Sequence, residues 1–167
     1  MTEPTRPRII VSLTDQQLIL VDSTGSDRGW PVSTAVRGAG ELQGSEQTPR
    51  GRHVIRARIG DGLPRGAVLV GRRPTGEVWS GDLAAREPHR DWILSRILWL
   101  SGCEPGRNRL GEVDSMRRYI YIHGTPDAEP VGLPASHGCI RMRNDDVIEL
   151  FDCVAAGTIV DIKEGSL

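Results

Sequence analysis

Ile9 to Leu13 and Gln17 to Val21 are two β-prone apolar runs separated by Thr14-Asp15-Gln16, a spacing that predicts a hairpin. A polar turn from Ser23 to Gly29 leads to a further short strand, Trp30 to Ala35. Gly38, Gly40, Gly44 and Gly51, set among polar residues, predict a long loop. Arg52 to Ile59 alternates apolar and basic residues with period two, the pattern of a strand with one buried and one solvated face. Ala67 to Val70 and Val78-Trp79 are weaker strands around a turn at Arg72 to Gly76. In Trp92 to Leu100 the positions Ile93, Ile97 and Leu100 fit a helical stripe, but the density of large apolar residues favours a buried strand. Ser101 to Gly111 reads as loop, and Tyr119 to Ile122 as a buried strand that delivers His123 at its end. Gly124 to Ser136, with prolines at Pro126, Pro130 and Pro134, is loop again. Asn144 or Asp145 caps a helix whose face is Val147, Ile148, Leu150, Phe151 and Val154 and which stops at Gly157. Thr158 to Ile162 closes the chain as a last strand.

That order predicts a mainly β, single-domain protein, a β-sandwich or half-open barrel with one main helix after Cys139. Residues 1–8 form a tail and residues 9–167 the domain. No repeat, low-complexity tract or linker interrupts it. Twenty glycines and eleven prolines with only 4% aromatics agree with many short strands and turns.

A formal net charge of −1 offers no broad field for a phosphate backbone, so nucleic acid is excluded as a partner. The longest apolar runs fall far short of the roughly 20 residues of a membrane span. The sequence MTEPTRPRIIVSL carries no signal-peptide pattern, so export by that route is not expected. Three cysteines leave at least one thiol unpaired.

Cys139 lies in Ser136-His137-Gly138-Cys139-Ile140-Arg141, and His123 precedes it by 16 residues, a loop long enough to return imidazole to sulfur. An ordinary thiol is only a few per cent thiolate at pH 7 and needs a base or an electropositive setting to act as a nucleophile. Gly138 lets a substrate carbonyl approach the main chain, whose N–H groups then face a developing oxyanion.

These residues resemble the L,D-transpeptidase family, the YkuD domain. The resemblance rests on Ile122-His123-Gly124-Thr125, Gly132 and Ser136-His137-Gly138-Cys139-Ile140-Arg141-Met142, followed by Asn144, Asp146, Leu150, Gly157 and Val160. Upstream, Trp30-Pro31-Val32-Ser33-Thr34 and Thr48-Pro49-Arg50-Gly51 extend it to most of the chain. It implies Cys139 as nucleophile and His123 as base, oriented through the backbone at Gly124. His137, Gly138 and Cys139 would shape the oxyanion site, with Ser136 and Arg141 on the substrate side. Arg141 suits either carboxylate binding or loop bracing. The implied substrates are peptidoglycan stem peptides, the implied location the periplasm or cell wall, and no cofactor is called for; with no signal-peptide pattern, export by another route, action on cytoplasmic precursors and a different substrate stay open. Acylation by carbapenems is implied as well. The stretch Gly60 to Arg118 is longer than such a domain needs and is expected to form a wall or lid. Hydrolysis on the same site, or cell-wall binding without turnover, are the competing functions.

A zinc site from His123, His137 and Cys139 is disfavoured by the single-residue spacing of the last two and by the lack of a second cysteine pair. Cys153 is assigned to packing on the buried face of the helix, and Cys103 to a non-catalytic loop position. His53 and His89 read as ordinary strand or surface residues, and Arg117-Arg118 as a solvated pair, with contact to a substrate carboxylate as the alternative that their nearness to the YIYI strand leaves open.

Overall fold

The computed structural model describes residues 6–167, so the tail expected over residues 1–8 lies, as far as residue 5, outside the described residues. Its strands are β1 (Arg8–Ser12), β2 (Gln17–Val21), β3 (Asp27–Pro31), β4 (Gly51–Ile59), β5 (Ala67–Val70), β6 (Arg73–Val78), β7 (Ile93–Gly102), β8 (Tyr121–Thr125), β9 (Ile140–Arg143) and β10 (Ile159–Lys163). The helices are α1 (Gly81–Arg86) and α2 (Asn144–Cys153). Mainly β structure with one main helix after Cys139 is therefore the architecture, a single curled sheet in half-barrel form.

The sheet runs β3-β2-β1-β10-β4-β7-β5-β6 and branches at β7, which also pairs with β8, while β8 pairs with β9. Two register points show how the branch works. Leu94 pairs with Val68 of β5 on one edge and Gly124 of β8 on the other, and Ile97 pairs with both Ile59 of β4 and His123 of β8. β4 and β5 thus share one edge of β7, and β8 has the other. Between these points Ser95 takes a left-handed φ of 69°, and the register with β8 shifts there.

The alternation of β7 and β8 sorts the two faces. Leu98, Leu100 and Ile122 enter the main core with Ile9, Leu18, Ile55, Ile140, Met142 and the α2 residues Val147, Leu150 and Phe151. Ile97, Trp99 and Tyr121 face the other way and pack with Leu69 and Cys139. His123, two residues after Tyr121, belongs to that second face.

Several elements differ from the sequence reading. The strand expected at Trp30 to Ala35 starts at Asp27 instead, because Asp22 accepts the N–H groups of Thr24 and Ser26 and closes the turn early. Val32 to Ala35 then leaves β3 and bonds to the segment around Ser136 and Arg141. The turn placed at Arg72 to Gly76 is a tighter one at Gly71-Arg72, with φ of 55° and 64°, so β6 begins at Arg73. Helix α1, capped by Ser80, and strand β9 had no counterpart in the sequence reading. β8 starts at Tyr121 because Tyr119, at φ 56°, still belongs to the preceding turn, so His123 sits mid-strand.

Helix α2 has Arg143 at its cap position with no side-chain cap bond. Asn144 is used otherwise: its Oδ1 accepts from Ser95 Oγ at 2.6 Å and its Nδ2 donates to the Thr125 carbonyl at 3.0 Å. The helix ends at Cys153, and Gly157 (φ 91°) serves the turn into β10. Cys153 is exposed, contrary to the packing role assigned to it, since the buried stripe runs through Val147, Leu150, Phe151 and Val154 and leaves it at the edge. His53 is fully buried: its Nδ1 donates to the Gly51 carbonyl (3.0 Å), and its Nε2 therefore accepts from Ser115 Oγ (2.8 Å).

Candidate active site

Cys139 is half-buried at the end of the loop that follows β8, one residue before β9. Its Sγ accepts from the Tyr121 N–H at 3.3 Å and donates to the Tyr119 carbonyl at 3.3 Å. Burial pushes the thiol up to about 11, while the Tyr121 N–H and the cations of Arg141 and Arg118 pull the other way.

His123 is buried, and its Nδ1 lies 2.7 Å from the Gly124 carbonyl. A carbonyl only accepts, so Nδ1 carries the proton and Nε2 keeps its lone pair. Burial holds His123 down to about 4, against the opposing influence of that hydrogen bond. Asp91 and Arg141 act electrostatically on both His123 and Cys139, which places the two in one charge environment. The resting site thus holds a neutral thiol and a neutral imidazole of fixed tautomer.

Gly124 is required by space. A Cβ there would lie 2.5 Å from the Leu94 carbonyl oxygen and 2.6 Å from Asn144 Oδ1. Gly138 has φ 132°, and its Cβ would press on the Gln47 carbonyl oxygen at 3.3 Å. Its carbonyl accepts from Thr48 Oγ1 at 2.9 Å, which ties the Thr48-Pro49 stretch to the cysteine turn.

Ser136 is buried and braces that turn, donating to the Cys139 carbonyl at 2.6 Å and accepting from the Gly138 N–H at 3.2 Å. Its hydroxyl is thereby committed to the backbone. The Gly138 N–H is likewise engaged, whereas the Cys139 N–H has no acceptor among the described residues. Arg141 stands opposite His123 in the parallel β8–β9 register. Its Nη1 donates to the Ala135 carbonyl (3.3 Å) and its Nη2 pairs with Asp91 (3.2 Å), which are loop-bracing contacts. His137 is exposed and makes no hydrogen bond among the described residues.

Three residues at this site have roles that the sequence did not announce. Arg118, read as solvated, is half-buried and donates to the carbonyls of Gly40 (3.3 Å) and Gln47 (2.6 Å) and to Ser45 Oγ (3.3 Å). Tyr119 and Tyr121 touch the thiol through their main chain, a role that no side-chain pattern announces. The stretch from residue 60 to residue 118 supplies β5, β6, α1 and β7, of which β7 pairs with β8 and β5 adds Leu69 to the cluster that holds Cys139.

The YkuD family, described as the L,D-transpeptidase catalytic domain, matches residues 6–162, and the chain belongs to this family. Among curated relatives, the probable L,D-transpeptidase ErfK/SrfK of Salmonella typhimurium is 53% identical over 45 residues, 27% of this chain and 15% of that protein. The putative L,D-transpeptidase YqjB of Bacillus subtilis is 51% identical over 47 residues, 28% of this chain and 27% of that protein. Among solved structures, an L,D-transpeptidase from Mycobacterium smegmatis superposes with a TM-score of 0.58 at 15% identity, covering 94% of this chain and 58% of that one. The L,D-transpeptidase LdtMt1 in complex with imipenem gives 0.54 at 18% identity, covering 94% and 58%. The likeness to these structures is one of fold, and the chain spans well under two thirds of the length of each of these relatives.

Proposed function

We propose that this chain is a cysteine acyltransferase, an L,D-transpeptidase acting on peptidoglycan stem peptides in the periplasm or cell wall. The observation that carries the reading is the fixed tautomer of His123, a residue that alternation along β8 puts on the same sheet face as Tyr121, which packs with Cys139. Neutral thiol and neutral base make the proton transfer part of the attack itself. His123 Nε2 takes the Sγ proton as sulfur bonds to the carbonyl of the L-centre that precedes a terminal D-Ala. The Cys139 N–H faces the developing oxyanion. Collapse breaks the C–N bond, the imidazolium returns its proton to the departing D-Ala amine, and a thioester remains. An amine of a second stem peptide then attacks, His123 receives its proton and passes it to the departing sulfur as the C–S bond breaks, and the amide cross-link forms with the neutral thiol and imidazole restored. Water in place of the amine gives hydrolysis on the same residues.

Intact-protein mass spectrometry after incubation with tetrapeptide stems tests this. The expected result is an acyl adduct on Cys139, absent in Cys139→Ala and formed about 10² to 10⁴ times more slowly in His123→Ala. Full turnover by Cys139→Ala, or an adduct mainly on Cys103, overturns the proposal. Cross-linked product accumulating over free acid separates transfer from hydrolysis, and peptidoglycan binding without any adduct indicates a non-catalytic binder.

A further inference from the structure

Arg72 sits at the tip of the β5–β6 hairpin, yet its side chain is held in place by three aromatic residues beside the thiol. Its guanidinium carbon is 4.8 Å from the ring centroids of both Trp99 and Tyr119, and its Nη1 donates to Tyr121 Oη at 3.0 Å. Trp99 is fixed in turn by its Nε1–H, which donates to the Met116 carbonyl at 3.1 Å, and by an edge-on contact with Tyr121. Tyr119 and Tyr121 are the two residues whose main chain touches Cys139 Sγ.

Stacking on rings and one bond to a phenol do not neutralise a guanidinium. Among the described residues no carboxylate pairs with Arg72, whereas the exposed Arg52 pairs with Asp161 and the half-buried Arg90 with Glu77. The bond to Tyr121 uses one of five N–H donors, so a fork suited to a carboxylate remains. The aromatic contacts limit its rotamers before a ligand arrives, which lowers the entropic cost of binding. We propose that Arg72 forms a carboxylate subsite next to Cys139 that receives the free C-terminal carboxylate of the peptide substrate. This rests on the transpeptidase reading. A carboxylate one residue beyond the attacked carbonyl lies about 3.3–3.6 Å further along an extended chain. Arg72 would accordingly select bonds at the end of a peptide over bonds within one.

The test is calorimetric binding to Cys139→Ala, which cannot turn substrate over, of a tetrapeptide stem ending in D-Ala, as free acid and as C-terminal amide. The acid should bind about tenfold to a hundredfold more tightly than the amide, the range for a hydrogen bond to a charged group. Adding Arg72→Gln should bring the two to within about twofold, and Arg72→Lys, which keeps the charge and loses the fork, should fall between. Equal weakening of acid and amide by Arg72→Gln makes the residue a latch for the hairpin and overturns the proposal. Binding of the acid no tighter than the amide by Cys139→Ala, including binding of neither, overturns it as well. Turnover by the unaltered protein is read separately. Its absence removes the transpeptidase reading while the acid-to-amide ratio still decides the role of Arg72.

Discussion

The thiol of Cys139 donates to the carbonyl of Tyr119 at 3.3 Å, so in the resting protein the sulfur's proton is held by main chain and not by His123. Tyr119 can offer that carbonyl because it takes a left-handed φ of 56° just before β8 begins. The consequence is a nucleophile stored as its protonated form, with a base that is also neutral.

Alkylation of Cys139 by iodoacetamide should therefore be slow at pH 7 and rise about tenfold per pH unit from 7 to 10 without levelling off, because only the thiolate reacts and the thiol is pushed up to about 11. Peptide mapping against Cys103 and Cys153 assigns the rate. A plateau reached near pH 7 would show a stored thiolate instead.

Gly124→Ala should lose most activity and about 1–3 kcal/mol of stability, the usual cost of overpacking a filled site. The added methyl would meet the Leu94 carbonyl oxygen and Asn144 Oδ1, both of them fixed: Leu94 by its place in β7, Asn144 by Ser95 and Thr125. β8 has to move, and His123 moves with it. Urea unfolding and acylation rate, measured on the same variant, check both effects.

The motif residues were legible because their chemistry is local: a glycine beside a histidine, another beside a cysteine, and a threonine-proline turn upstream. The hairpin of β1 and β2 and the stripe of α2 were legible because such patterns survive without knowledge of partners, and the strand nature of β7 because its density of large apolar residues outweighed a helical stripe. β9 was not, since Ile140-Arg141-Met142-Arg143 shows only two apolar positions and its arginine is buried by neighbours that the fold brings from elsewhere, Asp91 and Ala135. The burial of His53 was hidden for the same reason. Its partner Ser115 is 62 residues away in sequence. An unbroken run of apolar, β-prone residues identified YIYI as a buried strand but could not tell that its first residue belongs to a turn.

The protein should lose stability as pH falls from about 6.5 toward 4. His53 and His123 are both held down to about 4 by burial, so between these values the unfolded chain binds protons that the folded chain does not. Their contribution is complete above 6.5 and is lost as pH falls through 4. From pH 7.5 to pH 5 the loss is roughly 2 kcal/mol for each histidine. Urea midpoints measured across this range check it, and a flat profile down to pH 5 would contradict the burial of both rings as neutral species.

Arg118 should influence the thiol by charge and the Gly38–Gly51 loop by hydrogen bonding, and two substitutions separate these roles. The residue is held by neutral oxygens of Gly40, Ser45 and Gln47, so its positive charge stays uncompensated by any carboxylate within those contacts. That charge favours the thiolate of Cys139. Arg118→Met keeps an apolar stem and removes the charge. It should push the thiol further up and lower the alkylation rate at fixed pH by less than about tenfold, since Arg118 is the weakest of the groups that favour the thiolate. Arg118→Lys restores the charge without the planar fork, so it should recover most of the alkylation rate while its melting temperature stays below that of the parent. If both variants lose the rate equally and in step with their stability, Arg118 acts on Cys139 only by holding the loop against Gly138, and the electrostatic role is refuted.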